Sequence, residues 1–380
     1  MKILFVSIPA LHTVRWIENL KEAGHDIYWF NVLGNEELLQ KSYIKQITNW
    51  KYRKIPHFKG EHYLRKQYPN LYEKIQSNLE VTANEKLEQL IKEVKPDLVH
   101  SFEMHTGSYA ILKTMLKFPH LKWLYSCWGS DFYKYENSET HIKKIKKVLN
   151  RIDYLHTDCL RDYNLAIKYG FKGEFSGVIP GGGGFMLKEN QKHLLPIENR
   201  RIILVKGYQH HVGRGLQIIK AFEKVLTLIH NYDVIVFGAH LEVTNYIEKN
   251  KLPFKYFGRH DLEHNEILEL MGKSLIYVGN STSDGIPNTL LEAIIMGAFP
   301  IQSNPGNVTA EIITEGENGF LIEDPNDIDA ISKLILKAID SSKLLQNAFE
   351  INQNIAKERL DYAVNHQKIV ALYQQIAKDL

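Results

Sequence analysis

The chain has 380 residues, 44% of them hydrophobic and 24% charged, which is enough for two domains of globular composition. This composition excludes a disordered or collagen-like chain, and no stretch reaches the roughly 20 apolar residues that span a bilayer. Two cysteines, Cys127 and Cys159, without CxxC spacing indicate neither a disulfide framework nor a zinc site. The apolar run at the N-terminus is too short for a secretory signal, so the sequence predicts a cytoplasmic protein.

The net charge of +3 is unevenly distributed. Residues 1–190 carry 28 Lys and Arg against 21 Asp and Glu, or +7, and the remainder carries 19 against 23, or −4. The basic excess lies in residues 41–66 and in the amphipathic segment 141–152. Such segments bind anionic membrane surfaces, although a solvated helix face with its apolar side in the core explains the pattern equally well. Nucleic-acid binding is not predicted, because no reader motif accompanies the charge.

Short apolar runs alternate with helical patterns along the chain. In the first half, strands are predicted at 2–8, 25–32, 97–102, 122–127 and 153–158. In the second half, strands are predicted at 201–207, 233–238, 254–258, 274–279, 299–304 and 319–323, followed by an amphipathic helix at 355–380. Strands that alternate with helices are typical of parallel sheets covered by helices on both faces. The sequence therefore predicts an α/β protein.

A segment rich in glycine and proline separates the two sets of strands near residues 185–200. We therefore predict two Rossmann-like domains, residues 1–190 and 197–354, that face each other across a cleft, and a C-terminal helix over 355–380. Ligands of parallel sheets bind beyond the carboxyl ends of the strands, so the loops that follow the predicted strands hold the candidate site residues.

The run SDGIPNTLLEAIIMGAFPIQSN follows one of these strands and opens a helix that is apolar on nearly every side, apart from Glu292. A buried carboxylate is costly unless it is hydrogen-bonded. Glu292 could pair with an arginine or an amide, or it could accept hydrogen bonds from the vicinal hydroxyls of a ribose. Asp284, at the start of the run, is either a turn residue or a second functional carboxylate. Gly285 permits close backbone approach, and the amides near Asn288 and Thr289 favour a bound anion.

This run resembles the donor-site motif of the retaining, nucleotide-sugar-dependent glycosyltransferases of family 4, which share the two-domain GT-B fold. The family pattern has two glutamates separated by seven residues and then a Gly-x-Pro. The chain matches the second glutamate as Glu292, followed by Gly297 and Pro300 with two residues between them, and residues 201–330 follow the family's order of elements. The first acidic position differs, because Asp284 replaces the usual glutamate and holds its carboxylate roughly 1.5 Å further back.

The resemblance implies an enzyme of polysaccharide biosynthesis that transfers a sugar from a nucleotide-diphosphate sugar to a hydroxyl of a glycan or lipid-linked glycan. It implies retention of anomeric configuration and no metal or other cofactor. An arginine and a lysine neutralise the departing diphosphate in the family, and Lys206 and Arg214 are the candidates here. Glu292 is then expected at the ribose and Asp284 near the sugar. Two alternatives stay open: a nucleotide-sugar epimerase of the same fold, and a catalytically silent scaffold protein.

Candidates for acceptor contact lie in the first half of the chain. His12 is predicted in the loop after the first strand, and His105 lies in the run FEMHTG. The loop CWGSD resembles a segment in which relatives often have His-Gly-x-Asp, with Trp128 in place of the histidine. Trp128 could stack on a sugar ring or pack beneath the loop, and Asp131 could cap the loop or contact the acceptor. The first loop lacks G-x-G-x-x-G, which argues against a dehydrogenase.

Two other motifs carry no site. Asp327-Ile328-Asp329 has the D-x-D spacing of metal-dependent glycosyltransferases, but it precedes a predicted helix, where acidic residues cap backbone amides. The glycines at 181–184 are not followed by Lys-Ser or Lys-Thr, so they do not form a P-loop. No metal site is predicted.

Overall fold

The computed structural model describes residues 1–34 and 42–380. The chain divides into two compact units. The first unit contains Met1–Thr157, Tyr163–Gly177 and Ile369–Leu380, and the second contains Asp158–Asp162 and Val178–Lys368. The turn at 158–162 thus groups with the second unit although it directly follows a strand of the first, and the last residues of the chain group with the first unit.

The first unit is built on a seven-stranded sheet in the order β3-β2-β1-β4-β5-β6-β7. Its strands are β1 (Lys2–Ser7), β2 (Asp26–Asn31), β3 (Ile44–Ile47), β4 (Leu98–Phe102), β5 (Lys122–Ser126), β6 (Tyr154–Thr157) and β7 (Glu174–Val178). The pairs from β3 through β6 are parallel, and Ile3 lies between Ile27 and Leu98. Strands of this kind are covered on both faces, which explains why β1 is mostly apolar and why every residue of β4 is buried.

Helices cover this sheet: α1 (Leu11–Glu18), α2 (Glu61–Gln67), α3 (Pro69–Leu79), α4 (Ala83–Val94), α5 (Tyr109–Lys117) and α6 (Glu139–Leu149). Their apolar sides fill the core; on α4, for example, Leu87, Leu90 and Ile91 are buried. The helices α7 (Leu160–Lys168) and α15 (Tyr362–Lys378) each contain residues of both units.

The second unit has a six-stranded parallel sheet in the order β10-β9-β8-β11-β12-β13. Its strands are β8 (Ile202–Lys206), β9 (Asp233–Ala239), β10 (Lys255–Gly258), β11 (Ser274–Gly279), β12 (Phe299–Ser303) and β13 (Phe320–Ile322). Its helices are α8 (Leu187–Asn190), α9 (Gly215–Lys224), α10 (Leu241–Lys249), α11 (His264–Lys273), α12 (Asn288–Ile295), α13 (Ile328–Ile339) and α14 (Ser342–Ile355). The strand order reverses between β8 and β11, which is where parallel sheets open a ligand crevice.

The predicted α/β class with two parallel sheets is confirmed, and each of the eleven predicted strands is present to within about two residues at its ends. The strands β3 and β7 were not predicted. β3 has only four residues, and β7 is half-exposed and contains Gly177, so neither has a continuous apolar run. The expected C-terminal helix begins as α15 at Tyr362, after a π-helical turn over Ala356–Leu360. No helix in the described parts of the chain is long and apolar enough to cross a membrane.

Candidate active site

The principal candidates lie at the carboxyl ends of two adjacent strands of the second unit. Lys206 is the last residue of β8, and the loop that carries Asp284 follows β11. These strands pair directly at the point where the strand order reverses. The sheet thus brings Lys206 and Asp284 together from positions that are far apart in the sequence.

Asp284 lies immediately before Gly285, whose amide donates to the Asp284 Oδ1 atom at 3.0 Å. Burial raises the pKa of Asp284, and the positive charge of Lys206 opposes that rise. The loop then leads into α12, which begins at Asn288. The Thr289 hydroxyl accepts a hydrogen bond of 2.9 Å from the Tyr277 hydroxyl, so its side chain also anchors the first turn of α12.

Glu292 lies on α12, where every other residue from Leu290 to Ile295 is also buried. Its Oε1 atom lies 2.7 Å from the Nε2 atom of His264, the first residue of α11. The helix ends at Ile295 and is followed shortly by Gly297, which has φ of +70°. Glu292 therefore has a partner that sequence reasoning missed, because the contact depends on how α11 packs beside α12.

Arg214 is the residue that precedes α9, and its side chain is engaged by its own loop. Its Nη1 atom donates to the carbonyls of His210 at 3.2 Å and Gly213 at 2.9 Å. Its backbone amide donates to the Asn280 carbonyl at 3.0 Å, which ties this loop to the end of β11. Arg214 thus lies at the same edge of the sheet as Lys206, with part of its donor capacity already used.

A cluster of rings and cations surrounds Tyr208, two residues after β8. The Lys206 Nζ atom lies 4.8 Å from the Tyr208 ring centroid, and the Arg259 Cζ atom lies 5.8 Å from it. The His240 ring lies 5.6 Å from both Tyr208 and His210. Burial and the neighbouring positive groups lower the pKa of His210. Sequence reasoning missed His240 and Arg259 as candidates, although Arg259 directly follows a predicted strand and His240 directly follows β9.

The turn that follows β6 supplies a further cluster to the second unit. Ligand atoms of Asp158, Cys159 and Asp162 lie within 4.8 Å of one another. The Arg161 guanidinium donates to the Asp162 Oδ1 atom at 2.7 and 2.9 Å, so a fixed cation lies within this group. Burial and the Asp162 charge raise the pKa of Asp158 to about 8, and Asp284 contributes to the rise. The Glu311 carboxylate anchors the turn by accepting from the Leu160 and Arg161 amides at 2.7 and 2.8 Å.

In the first unit, Asp131 organises the loop after β5. Its Oδ2 atom accepts from the Tyr125 hydroxyl at 2.5 Å and from the Trp128 amide at 2.8 Å. Burial raises the pKa of Asp131 well above its usual range. The His12 ring lies 5.9 Å from that of Trp128, edge to face. The expected position of His12 in a loop is wrong, because it lies in the first turn of α1.

His105 lies in a π-helical turn over Met104–Ser108. The Glu103 carboxylate holds this turn by accepting from the amides of residues 105–107. The His105 ring contacts Tyr135 at 4.2 Å and His141 at 5.1 Å, and its Nε2 atom is buried without a partner in the described part of the chain. His105 thus packs in an aromatic cluster of its own, while His12 and Trp128 form a pair.

Both halves of the chain match known protein families. Residues 2–158 match the family described as "Glycosyl transferase 4-like", and residues 187–355 match the family described as "Glycosyl transferases group 1". The chain belongs to the family-4-like glycosyltransferases. The predicted enzyme class is therefore confirmed.

Solved structures resemble the glycosyltransferase over its full length. Sucrose-phosphate synthase from Thermosynechococcus elongatus is 14% identical, with a TM-score of 0.73 and 100% of each chain covered. Anabaena HepE in complex with UDP is 16% identical, with a TM-score of 0.67, and a Rickettsia africae glycosyltransferase is 19% identical, also with 0.67; each match covers 100% of this chain and 99% of the other. These likenesses confirm the GT-B fold. No curated protein sequence matches the chain significantly.

Proposed function

We propose that the enzyme transfers a sugar from a UDP-sugar to a hydroxyl of a glycan or lipid-linked glycan in polysaccharide biosynthesis, with retention of configuration and without a metal. The observation that carries this proposal is that a cation and a carboxylate, Lys206 and Asp284, follow the adjacent strands β8 and β11 where the strand order reverses, beside the N-terminus of α12. The donor class is supported by Anabaena HepE, which has been solved with UDP and with UDP-glucose.

In the proposed reaction, the bond between the sugar C1 atom and the phosphate oxygen breaks, and the acceptor oxygen bonds to C1 from the same face. The acceptor proton passes to the departing phosphate, so no protein nucleophile is needed. Lys206, Arg214 and the amides of Asn288 and Thr289 would stabilise the charge that develops on the leaving group. Glu292 would accept hydrogen bonds from the ribose hydroxyls.

Asp284 would lie near the donor sugar, with Gly285 allowing the backbone to approach it closely. The Tyr208 cluster supports this arrangement, because Arg259 and His240 lie at the ends of the neighbouring strands β10 and β9. Fixed cations of this kind lower the barrier to phosphate departure without a divalent ion, and they motivate the proposal of metal independence.

The acceptor hydroxyl would be bound by the first unit, with His12, Trp128, Asp131 and His105 as the candidate contacts. Because Asp131 is committed to Tyr125 and Trp128, we propose that it positions Trp128 for the acceptor instead of touching the acceptor itself. The basic excess of residues 1–190 supports a peripheral position on an anionic membrane surface, at which a lipid-linked acceptor would be met.

The proposal is tested by incubating the enzyme with UDP-sugars and candidate acceptors, while UDP release and the anomeric configuration of the product are measured. Acceptor-dependent UDP release and a product of donor configuration are expected, with EDTA leaving the rate unchanged. Inversion would refute the retaining mechanism, and loss of activity in EDTA would refute metal independence. Isomerisation of the donor without any acceptor would favour the epimerase, and UDP binding without turnover would favour the scaffold protein.

A further inference from the structure

Residues 51–72 of the first unit, here called the 51–72 segment, contain six Lys and Arg but a single acidic residue, Glu61. The Glu61 carboxylate is committed within the segment. It accepts from Arg53 at 2.6 and 3.0 Å and from the Tyr72 hydroxyl at 2.8 Å, and it lies 3.0 Å from the His57 Nδ1 atom. These contacts hold the pKa of Glu61 at about 2, so it stays ionised and bound to its partners. The segment therefore presents a net positive charge.

The same segment exposes an unusual amount of apolar surface. Sixteen large apolar side chains are exposed in the described part of the protein, and six of them lie in these 22 residues. Their exposed fractions lie between 43% and 67%: Tyr52, Ile55, Phe58, Tyr63, Tyr68 and Leu71. Because exposed apolar side chains that cluster mark interaction surfaces, this segment is predicted to bind a partner.

The cations and the apolar side chains are neighbours in space as well as in sequence. The Tyr63 and Tyr68 rings lie 6.4 Å apart, and the Arg65 guanidinium lies 6.0 Å from the Tyr72 ring. Beside them is a cavity of about 380 Å³, lined by Lys51, Arg53, His57, His62 and Arg65 together with the carboxylates of Glu61 and Glu80. The three Lys and Arg side chains outnumber these two carboxylates, so the lining keeps a net positive charge that suits an anionic head such as a phosphate.

Helix α6, the other basic segment, is similar to the 51–72 segment in its positive charge but differs from it in exposed apolar surface. Its apolar residues Ile145, Val148 and Leu149 are buried in the core, and no large apolar side chain of α6 is exposed. Arg151, just beyond it, donates to three backbone carbonyls and to Asp153. Helix α6 therefore offers lysines alone, whereas the 51–72 segment offers charge and apolar surface together.

We infer that the 51–72 segment is a membrane-binding surface, whose tyrosines and aliphatic side chains enter the interfacial region of an anionic bilayer while its cations contact lipid phosphates. Tyrosine favours the membrane interface, and apolar side chains combined with Lys and Arg bind anionic lipid. This inference rests on the proposed contact with an anionic surface, and no residue of the donor site takes part in it.

The test is flotation of the full-length enzyme with vesicles of equal parts phosphatidylcholine and phosphatidylglycerol, and with pure phosphatidylcholine. The variant Phe58→Ser/Tyr63→Ser/Tyr68→Ser should lower partitioning to the anionic vesicles roughly tenfold, because it removes apolar surface but no charge. Leu228→Ser/Leu241→Ser is the matched control, because these side chains are 61% and 74% exposed in the second unit. The control should partition as the wild type does.

A second readout reports insertion directly. In the variant Phe58→Trp, the new indole should shift its emission to shorter wavelength on anionic vesicles and be quenched by brominated lipid. Wild-type partitioning of the triple serine variant, or an unshifted emission from F58W, would overturn the inference. If the triple serine variant alters self-association without vesicles, the surface binds protein and the inference is also wrong.

UDP release with a water-soluble acceptor, measured in the same samples, separates this inference from the proposed function. Normal turnover with lost vesicle binding supports both. Vesicle binding without any UDP release would refute the glycosyl transfer proposed above but would still support the 51–72 segment as a membrane-binding surface.

Discussion

Replacement of Glu292 by glutamine tests whether this carboxylate binds the donor or only supports the fold. Glutamine keeps the size of the side chain and retains an oxygen that can accept from His264, but it removes the negative charge. We expect the affinity for UDP to fall while the protein stays folded, since the charge would be needed by the ribose hydroxyls and not by the packing of α12.

The magnitude follows from the surroundings of Glu292. Its side chain is 6% exposed and its Oε1 atom lies 2.7 Å from His264, so a hydrogen bond made there has little competition from water. Hydrogen bonds to a charged group contribute about 1.5–3 kcal/mol. The dissociation constant for UDP should therefore be roughly 10- to 100-fold larger in Glu292→Gln than in the wild type.

The assay is titration calorimetry with UDP on the wild type, Glu292→Gln, His264→Gln and the double variant, with thermal unfolding measured in parallel. The control is Glu266→Gln on the same helix as His264, because the Glu266 carboxylate caps α11 by accepting from the Glu263 amide at 2.7 Å. The control should leave UDP affinity unchanged and alter Tm only slightly, because the glutamine oxygen can still accept from the Glu263 amide. The double-variant cycle then measures how far His264 acts through Glu292.

An unchanged UDP affinity in Glu292→Gln would show that the carboxylate is structural and serves to bind His264. A loss of affinity that only mirrors a loss of folded protein would lead to the same conclusion.

Three further outcomes are expected. Lys206→Met and Arg214→Met should each lower turnover about 10²–10³-fold with a smaller effect on UDP affinity, and EDTA should change neither the wild type nor the variants. Asp131→Asn should be tolerated better than Asp131→Ala, which leaves the Tyr125 hydroxyl without its acceptor at a cost of about 1–3 kcal/mol in unfolding free energy. Because the pKa of Asp158 is raised to about 8, the folded state binds the proton of this carboxyl group more tightly than the unfolded chain does, and the wild type should lose stability as the pH rises from about 4 to about 8. Denaturation measured across this pH range should show that Asp158→Asn lacks this loss.

The sequence predicted the strands well because both sheets are parallel and covered on both faces, so their strands are short, apolar and bounded by loops. Glu292 stood out for a related reason, as a carboxylate in a helix that is otherwise apolar. The strands β3 and β7 lie at the two edges of the first sheet, where most of their residues are only partly buried. Neither strand therefore has the continuous apolar run that predicted the others. The contact between Glu292 and His264 joins two helices 28 residues apart, and no local pattern in the sequence encodes their packing.

The two departures from the family pattern can be understood through their neighbours. Asp284 has a shorter side chain than glutamate, and burial alone would favour its neutral form. Lys206 opposes that effect, so the cation expected to meet the diphosphate also helps to keep the carboxylate charged. Trp128 replaces the family's histidine, but its amide is held by Asp131 and its ring lies beside His12, so the first unit retains an imidazole next to this loop on a different element. At Trp128 a neighbouring residue thus supplies the imidazole that the substitution removes, and at Asp284 a cation helps to keep the shorter carboxylate charged, which favours an active transferase over a silent scaffold.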